Sequence, residues 1–162
     1  MSKMSSKLSH IDSQGAANMV DVGDKAITRR CARASGEIQL TAATYALLND
    51  GSPKGDVFAV ARIAAIAAAK RTPEWIPLCH LLPLEKVQVE FTNDDQQRCV
   101  HCTVTVMATA KTGVEMEALV GVGAALLTLY DMLKAADKSM VIQNVRLLEK
   151  HGGASGDFVR DA

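Results

Sequence analysis

The sequence predicts an α+β domain with ferredoxin-like packing, in which helices cover one face of an antiparallel sheet. Three observations support this fold class. Several segments show the period-two alternation of half-buried strands, and they are interleaved with an Ala-rich helix pattern and a long apolar one. Near the middle of the chain, two such strands are joined by Asn93-Asp94-Asp95, a connection short enough to predict an antiparallel hairpin. No internal repeat or linker divides the chain.

The first half of the chain predicts one strand and two helices. Residues 29–40 are compatible with an extended segment, and Thr41 is placed to N-cap a short helix through Leu48. The composition of residues 49–53 indicates a loop. Residues 56–71 form an Ala-rich pattern with one apolar stripe, which predicts a helix with Asp56 as its cap.

The second half predicts a loop, the hairpin, a long helix and a last strand. Pro73 and Pro77 lie in the predicted loop. Apolar and polar residues alternate around Val89 and around Cys99, which predicts the two hairpin strands. Thr112 and Glu115 have the spacing of a capping box, which predicts a helix from there to about residue 138. Residues 140–148 have the pattern of a final strand.

The predicted organisation is one folded body between two flexible ends. Residues 1–18 and the Gly-rich residues 151–162 are predicted to be flexible, and residues 19–150 form a single α+β domain. A chain of 162 residues fits one domain of this kind.

Charge and composition exclude several classes of function. Eighteen basic and eighteen acidic residues cancel, which disfavours nucleic-acid binding. No signal-peptide core is present in the first twenty residues, and the uncharged stretch 118–130 is shorter than the roughly 20 residues of a spanning helix. Together with cysteines that suit a reducing compartment, these features predict a cytoplasmic protein without membrane partners.

The long helix is apolar or small around nearly its whole circumference. A single sheet covers only one side of a helix, so this pattern predicts a second cover, which we expect to be a partner subunit. Small residues such as Gly121 and Gly123 permit close approach of neighbouring backbone.

The cysteines raise the question of a zinc site, because Cys99 and Cys102 have C-x-x-C spacing. Strand alternation places these two thiols on opposite faces, with His101 on the face of Cys99. One ion cannot be shared across a strand in this way, so the pattern argues against structural zinc, and no metal is predicted.

Basic and acidic side chains at four places could bind an anion or transfer protons. Residues 25–33 carry four cations, which fit either a solvated strand or a phosphate site. Lys54 precedes the Ala-rich helix, where free N–H groups attract anions. Asp131 and Lys134 share a helix face, as an exposed ion pair or as groups reaching one ligand. His80 lies in a loop, where an imidazole can exchange protons.

Glu115 and Glu117 could suggest paired carboxylates. Residues two apart on a helix do not face each other, and the predicted capping box already explains Glu115, so a paired-carboxylate mechanism is discounted.

Six blocks of sequence resemble the MoaC family, and with their spacing they cover residues 10–158. The blocks are Met19-Val20-Asp21-Val22, Lys54-Gly55-Asp56-Val57-Phe58, Ala67-Ala68-Ala69-Lys70-Arg71-Thr72, Ile76-Pro77-Leu78-Cys79-His80, Thr112-Gly113-Val114-Glu115-Met116-Glu117-Ala118-Leu119 and Leu129-Tyr130-Asp131-Met132.

The resemblance implies an enzyme of molybdenum cofactor biosynthesis. Its substrate would be a cyclised GTP derivative, 3',8-cyclo-7,8-dihydro-GTP, which a diphosphate-releasing lyase converts to cyclic pyranopterin monophosphate. The resemblance also implies a ferredoxin-like fold and a homo-oligomer, a hexamer built as a trimer of dimers with interfacial active sites. No metal or organic cofactor is implied.

The resemblance also assigns roles to single positions. Lys54, Asp131 and Lys134 match the catalytic residues of the family, which favours the ligand-reaching interpretation of the last two. Positions that match substrate contacts or further basic residues are Leu78, Cys79, His80, Met116, Glu117, Arg30 and Lys70.

Two rival functions stay open. A non-catalytic oligomeric nucleotide-sensing module would share the fold but would not require the three catalytic positions. A metal-dependent pterin synthase would need clustered histidine ligands, whereas the four histidines are dispersed in the sequence.

Overall fold

The computed structural model describes residues 10–12, 14–50 and 55–161, and five antiparallel strands form its one sheet. The strand order is β2-β3-β1-β4-β5, so β1 lies at the centre. The strands are β1 Thr28–Gln39, β2 Leu84–Asp94, β3 Cys99–Ala110, β4 Val141–His151 and β5 Phe158–Val159. The predicted α+β, ferredoxin-like architecture is confirmed.

Four helices complete the described fold: α1 Ala42–Asp50, α2 Val57–Ala69, α3 Thr72–Trp75 and α4 Glu115–Leu133. Two predicted caps are present. Thr41 Oγ1 accepts a hydrogen bond from the Thr44 N–H at 3.4 Å, and Asp56 Oδ1 accepts one from the Ala59 N–H at 2.9 Å. Both satisfy backbone donors that a helix start leaves without partners.

The predicted hairpin joins β2 and β3, and its closing pair is Asp94 with Cys99. The turn occupies residues 95–98 and begins two residues later than the composition suggested, because Asp94 continues the strand. Arg98 adopts a left-handed φ of 53° there, and the Asp94 carboxylate accepts hydrogen bonds from the N–H groups of Gln96 and Gln97. These contacts give two backbone N–H groups of the turn a hydrogen-bond acceptor.

The predicted capping box of α4 is wrong. The helix begins at Glu115 after Val114, and no side chain caps it. Glu115 instead forms an ion pair with Lys150 of β4, with Nζ and Oε1 3.6 Å apart. The helix also ends at Leu133 rather than near residue 138. Sequence spacing could not show that a strand distant in sequence competes for the Glu115 carboxylate.

The second cover of α4 comes from the same chain. On one side α4 packs on β1, β3 and β4, and on another it packs against α2. The partner subunit that we expected from the apolar circumference is therefore not needed to bury these sides. By length and composition alone α4 could also cross a membrane, but more than half of its most apolar stretch is buried in this fold.

Close packing between α4 and the sheet depends on Gly36. A Cβ added at this position would lie 2.9 Å from side-chain carbons of Val122 and Leu126 on α4. Real Cβ atoms essentially never approach heavy atoms that closely, so any other residue here would force Val122 and Leu126 to shift in the packed core. The contact also identifies the helix-covered face of β1 as the one that carries the even-numbered residues.

Candidate active site

A cavity of about 350 Å³ lies between the loop after α3 and the first turn of α4, and we call it the α4 cavity. It brings together all five residues that the resemblance implied for the substrate loop and helix start. Its lining comprises these five, Leu78, Cys79, His80, Met116 and Glu117, together with His10, Val20, Val22, Lys25, Leu82, Thr112, Gly113 and Glu115.

The loop that supplies His80 is held by a tight turn. The Cys79 N–H donates to the Ile76 carbonyl at 3.0 Å, with Pro77 between them. Proline restricts φ to the value that the second residue of such a turn requires. The turn therefore directs the partly buried residues 78–80 toward the start of α4.

Glu117 is the unusual carboxyl group of the α4 cavity, since it is only 4% exposed. Burial raises the pKa of Glu117 to about 7, with the Glu115 charge adding to the rise and a backbone hydrogen bond opposing it. A carboxyl group with such a pKa can both give and take a proton near neutral pH. The sequence offered no signal for this, because burial of Glu117 depends on the packing of α4.

Cys79 lies beside this carboxyl group and is partly buried. Burial, and then the nearby Glu117 charge, raises the pKa of the Cys79 thiol. A reactive cysteine needs the opposite shift, toward thiolate. The raised pKa argues against an activated thiol nucleophile at Cys79 and agrees with the contact role that the resemblance implies.

A larger, more basic cavity of about 820 Å³ adjoins the first, and we call it the basic cavity. The two share Lys25, Thr112, Gly113 and Glu115. Four cations line the basic cavity: Lys25, Arg30, Lys111 and Lys150. Sequence reasoning missed Lys111 and Lys150, because pairing between strands far apart in sequence brings them to β1: Ala110, next to Lys111, pairs with Thr28, and Lys150 pairs with Ala32.

Arg30 organises the rim of the basic cavity. Its buried guanidinium donates to the carbonyls of Ala110 (3.3 Å), Lys111 (3.1 Å) and Gly152 (3.1 Å). A side chain at Gly153, whose φ is +90°, would collide with the same guanidinium. Arg30 thus ties β1 to β3 and to the segment after β4, while its charge stays at the cavity.

One polar atom on this rim lacks a protein partner. The Thr28 hydroxyl is buried and makes no hydrogen bond within the described residues. Thr28 lines the basic cavity. Buried polar atoms are nearly always paired, and an orphan at a cavity wall is the kind of donor that a polar ligand satisfies.

Asp131 and Lys134 lie together but far from both cavities. Their side chains are largely exposed, and Lys134 Nζ lies 2.7 Å from Asp131 Oδ1. Asp131 follows Glu117 by fourteen residues on one helix, which places the two about 21 Å apart. The hydrogen bond that Lys134 donates to Asp131, and then the Asp131 charge, raise the pKa of Lys134.

The last two basic positions are less defined. Lys54 lies outside the described residues. The described segment resumes at Gly55, with a φ of +83°, immediately before the Asp56 cap. Lys70 is the exposed C-cap residue of α2 and lines neither cavity. A single chain therefore brings together Arg30 and the loop and helix residues, but not Asp131, Lys134 or Lys70.

Comparison with known proteins identifies close relatives. A sequence model described as the MoaC family matches residues 19–153. Two relatives from Chloroflexus aurantiacus, strains J-10-fl and Y-400-fl, are each named cyclic pyranopterin monophosphate synthase. Each is 53% identical over 161 residues, and the alignment covers 99% of this chain and 99% of the relative.

Proposed function

This chain belongs to the MoaC family, and on that premise we propose that it is a cyclic pyranopterin monophosphate synthase. It converts 3',8-cyclo-7,8-dihydro-GTP to cyclic pyranopterin monophosphate and diphosphate, as a lyase of molybdenum cofactor biosynthesis in the cytoplasm. The main support for this proposal is that the chain is 53% identical, over 99% of its length, to relatives of that name. The same assignment is supported by the α4 cavity, whose side chains can exchange protons, and by the basic cavity that adjoins it.

The two adjoining cavities suit the two parts of this substrate. The ring system fits the α4 cavity, where His80 and Glu117 can exchange protons with it. The triphosphate fits the basic cavity, where Lys25, Lys111 and Lys150 supply positive charge and the Thr28 hydroxyl supplies a donor. Arg30 then acts on the phosphates through its charge while its hydrogen bonds hold the rim.

Closing the cyclic phosphate requires an oxygen of the substrate to form a bond to the α-phosphorus while the bond to diphosphate breaks. Cations of the basic cavity stabilise the negative charge that the departing diphosphate carries. Besides His80 and Glu117, the residues proposed to transfer protons during ring rearrangement are Lys54, Asp131 and Lys134, the positions that match the family's catalytic residues. Lys70 contributes further positive charge in the proposed assembly.

We infer that Asp131 and Lys134 come to the site from another subunit. The distance of about 21 Å between Asp131 and Glu117 along α4 exceeds what one substrate contact region can span. A second copy can supply Asp131 and Lys134 to the cavities of the first. We therefore propose interfacial active sites in a homo-oligomer, a hexamer assembled as a trimer of dimers.

The helical layer offers a surface for such an interface. Four large apolar side chains on α2, α3 and α4 are 43–68% exposed: Val60, Ile63, Trp75 and Leu127. Asp131 lines a groove of about 460 Å³ in the same layer. A monomer leaves this apolar surface in water, whereas a symmetric contact buries it beside the catalytic pair.

Turnover of the proposed substrate is the direct test. The purified protein is incubated anaerobically with 3',8-cyclo-7,8-dihydro-GTP. Diphosphate release is measured, and the pterin product is detected by its fluorescence after oxidation. We expect both products from the parent protein and neither from Lys54→Ala. Binding of the substrate without turnover by the parent would contradict the enzyme and favour a nucleotide-sensing module.

Complementation tests whether the site is interfacial. His80→Ala and Lys134→Ala should each be inactive alone, because each removes one half of every site. Unfolding and refolding the two variants together should restore about a quarter of the parent activity, since random pairing gives half mixed dimers, each with one intact site. Activity that stays at the sum of the separate variants would show that one chain holds the whole site.

A further inference from the structure

A second group of reactive side chains lies on the opposite side of the sheet from α4. Glu37 on β1 is the cross-strand neighbour of His101 on β3, and Cys99 is two residues before His101. The even-numbered residues of β1 face α4, so Glu37 faces away from the helices. None of these three residues lines the α4 cavity or the basic cavity.

The imidazole of His101 bridges the other two side chains. Its Nδ1 lies 3.2 Å from Glu37 Oε2, and its Nε2 lies 3.3 Å from Cys99 Sγ. A carboxylate at Nδ1 favours the tautomer that carries its proton there. Nε2 then presents its lone pair to the sulfur.

Two side chains of β4 hold Glu37 in place. Its Oε1 accepts hydrogen bonds from Gln143 Nε2 at 2.9 Å and from Asn144 Nδ2 at 2.8 Å. Asn144 has a left-handed φ of 57°, and the β1–β4 register shifts between Ser35 and Glu37. Bulges with unusual backbone angles re-aim side chains at the cost of local strain, and here they bring both amides to one carboxylate.

The spacing of sulfur and nitrogen fits one bound ion. Tetrahedral zinc, with bonds of about 2.3 Å to sulfur and 2.0–2.1 Å to nitrogen, separates the two atoms by about 3.5 Å. The observed 3.3 Å lies within a small side-chain adjustment of that value. Among the described residues, Glu37, Cys99 and His101 are the one group of three with potential ligand atoms within 4.8 Å of one another.

We propose that Cys99 Sγ and His101 Nε2 bind one thiophilic divalent ion of the zinc class, with Glu37 as the positioning residue that orients the imidazole through Nδ1. Water completes the coordination on the exposed side, where 41% of the His101 side chain is accessible. The ion takes the place of the thiol proton that now faces Nε2. This site joins β1 and β3 and is independent of the proposed reaction.

Electrostatics around the sulfur favour a cation. Glu37 lies against the imidazole that contacts the sulfur, and Asp94 is the cross-strand partner of Cys99 in the β2–β3 hairpin, so two acidic residues lie near a sulfur of a residue that is 3% exposed. Cys102, which is also buried, lies on the other face of β3 among the core residues and cannot reach the same ion.

Cobalt(II) is the probe for this site, because its bond to a thiolate produces a sulfur-to-metal charge-transfer band in the near ultraviolet. We expect the full-length protein to develop this band on titration and Zn²⁺ to abolish it by displacement. Cys99→Ser should lose the band, and His101→Gln should weaken Co²⁺ binding at least about tenfold. Glu37→Gln should keep the band with about 10- to 100-fold weaker binding, as expected for a residue that only orients a ligand.

Two cysteine variants serve as matched controls. Cys102→Ser changes the thiol on the opposite face of the same strand, and Cys79→Ser changes the thiol of the α4 cavity; both should retain the band and the affinity. Far-ultraviolet circular dichroism checks that each variant is folded. The proposal is overturned if the parent gives no band, if folded Cys99→Ser and His101→Gln both bind Co²⁺ as the parent does, or if Cys102→Ser or Cys79→Ser removes the band.

Discussion

Replacing Lys134 by alanine is expected to lower kcat by about 100- to 10,000-fold, the usual contribution of a positioned acid or base. Stability should hardly change, because the Lys134–Asp131 pair is largely exposed and such pairs stabilise a fold very little. Steady-state turnover of 3',8-cyclo-7,8-dihydro-GTP measures the first effect, and thermal unfolding measures the second.

Two further substitutions make this result specific. Lys138→Ala removes an exposed lysine four residues after Lys134, beyond the end of α4, and should leave kcat near the parent value. Lys134→Arg keeps the positive charge but cannot release a proton near neutral pH. Low activity of Lys134→Arg would indicate proton transfer, and recovered activity would indicate electrostatic stabilisation. A folded Lys134→Ala enzyme with the parent rate would remove Lys134 from the mechanism.

Replacing Glu117 by glutamine is expected to change how stability depends on pH. The folded pKa of about 7 lies above the ordinary 4.5, so between these values the folded state holds a proton that the unfolded state has released. Stability of the parent therefore falls as pH rises from about 4.5 to 7 and then levels off. Glutamine stays neutral, so the stability of Glu117→Gln lacks this decrease.

The size of the effect follows from the difference between the two pKa values. The free energy of unfolding of Glu117→Gln minus that of the parent should increase by up to about 3 kcal/mol as the pH rises from about 4 to about 8.5. Urea unfolding at the two pH values measures this gain. Glu85→Gln, which changes an exposed carboxylate on β2, is the matched control and should show a much smaller pH-dependent difference. An equal difference at both pH values would contradict a raised pKa of Glu117.

Local patterns were sufficient to predict most helices and strands. Alternation predicted β2 and β3, and the sequence also predicted a last strand where β4 lies. The Ala-rich stripe with Asp56 predicted α2 to within two residues at its end. The capping box failed for a physical reason: Glu115 is attracted to Lys150, whose position depends on β1–β4 pairing. Motif spacing describes only neighbours in sequence, so it cannot detect this competition.

The resemblance identified candidate site residues, and the tertiary structure separated them into two groups. Leu78 to His80 and Met116 to Glu117 share one cavity because the Pro77 turn faces the start of α4. Asp131 and Lys134 lie about 21 Å away along the same helix, since a helix rises 1.5 Å per residue. This separation is why the proposed site needs a second chain.

The amino-acid sequence alone determined the α+β class, the element types and the family, because these depend on periodicity and on residue identity along the chain. Only the tertiary structure decided that Arg30, Lys111 and Lys150 surround one basic cavity, that Glu117 is buried enough to hold a proton near neutral pH, and that His101 joins Glu37 to Cys99. The physical reason is common to all three. Each depends on strand register or helix packing between segments far apart in sequence. Those contacts, and not the residue type, decide whether a side chain is protonated and which other side chains it can contact.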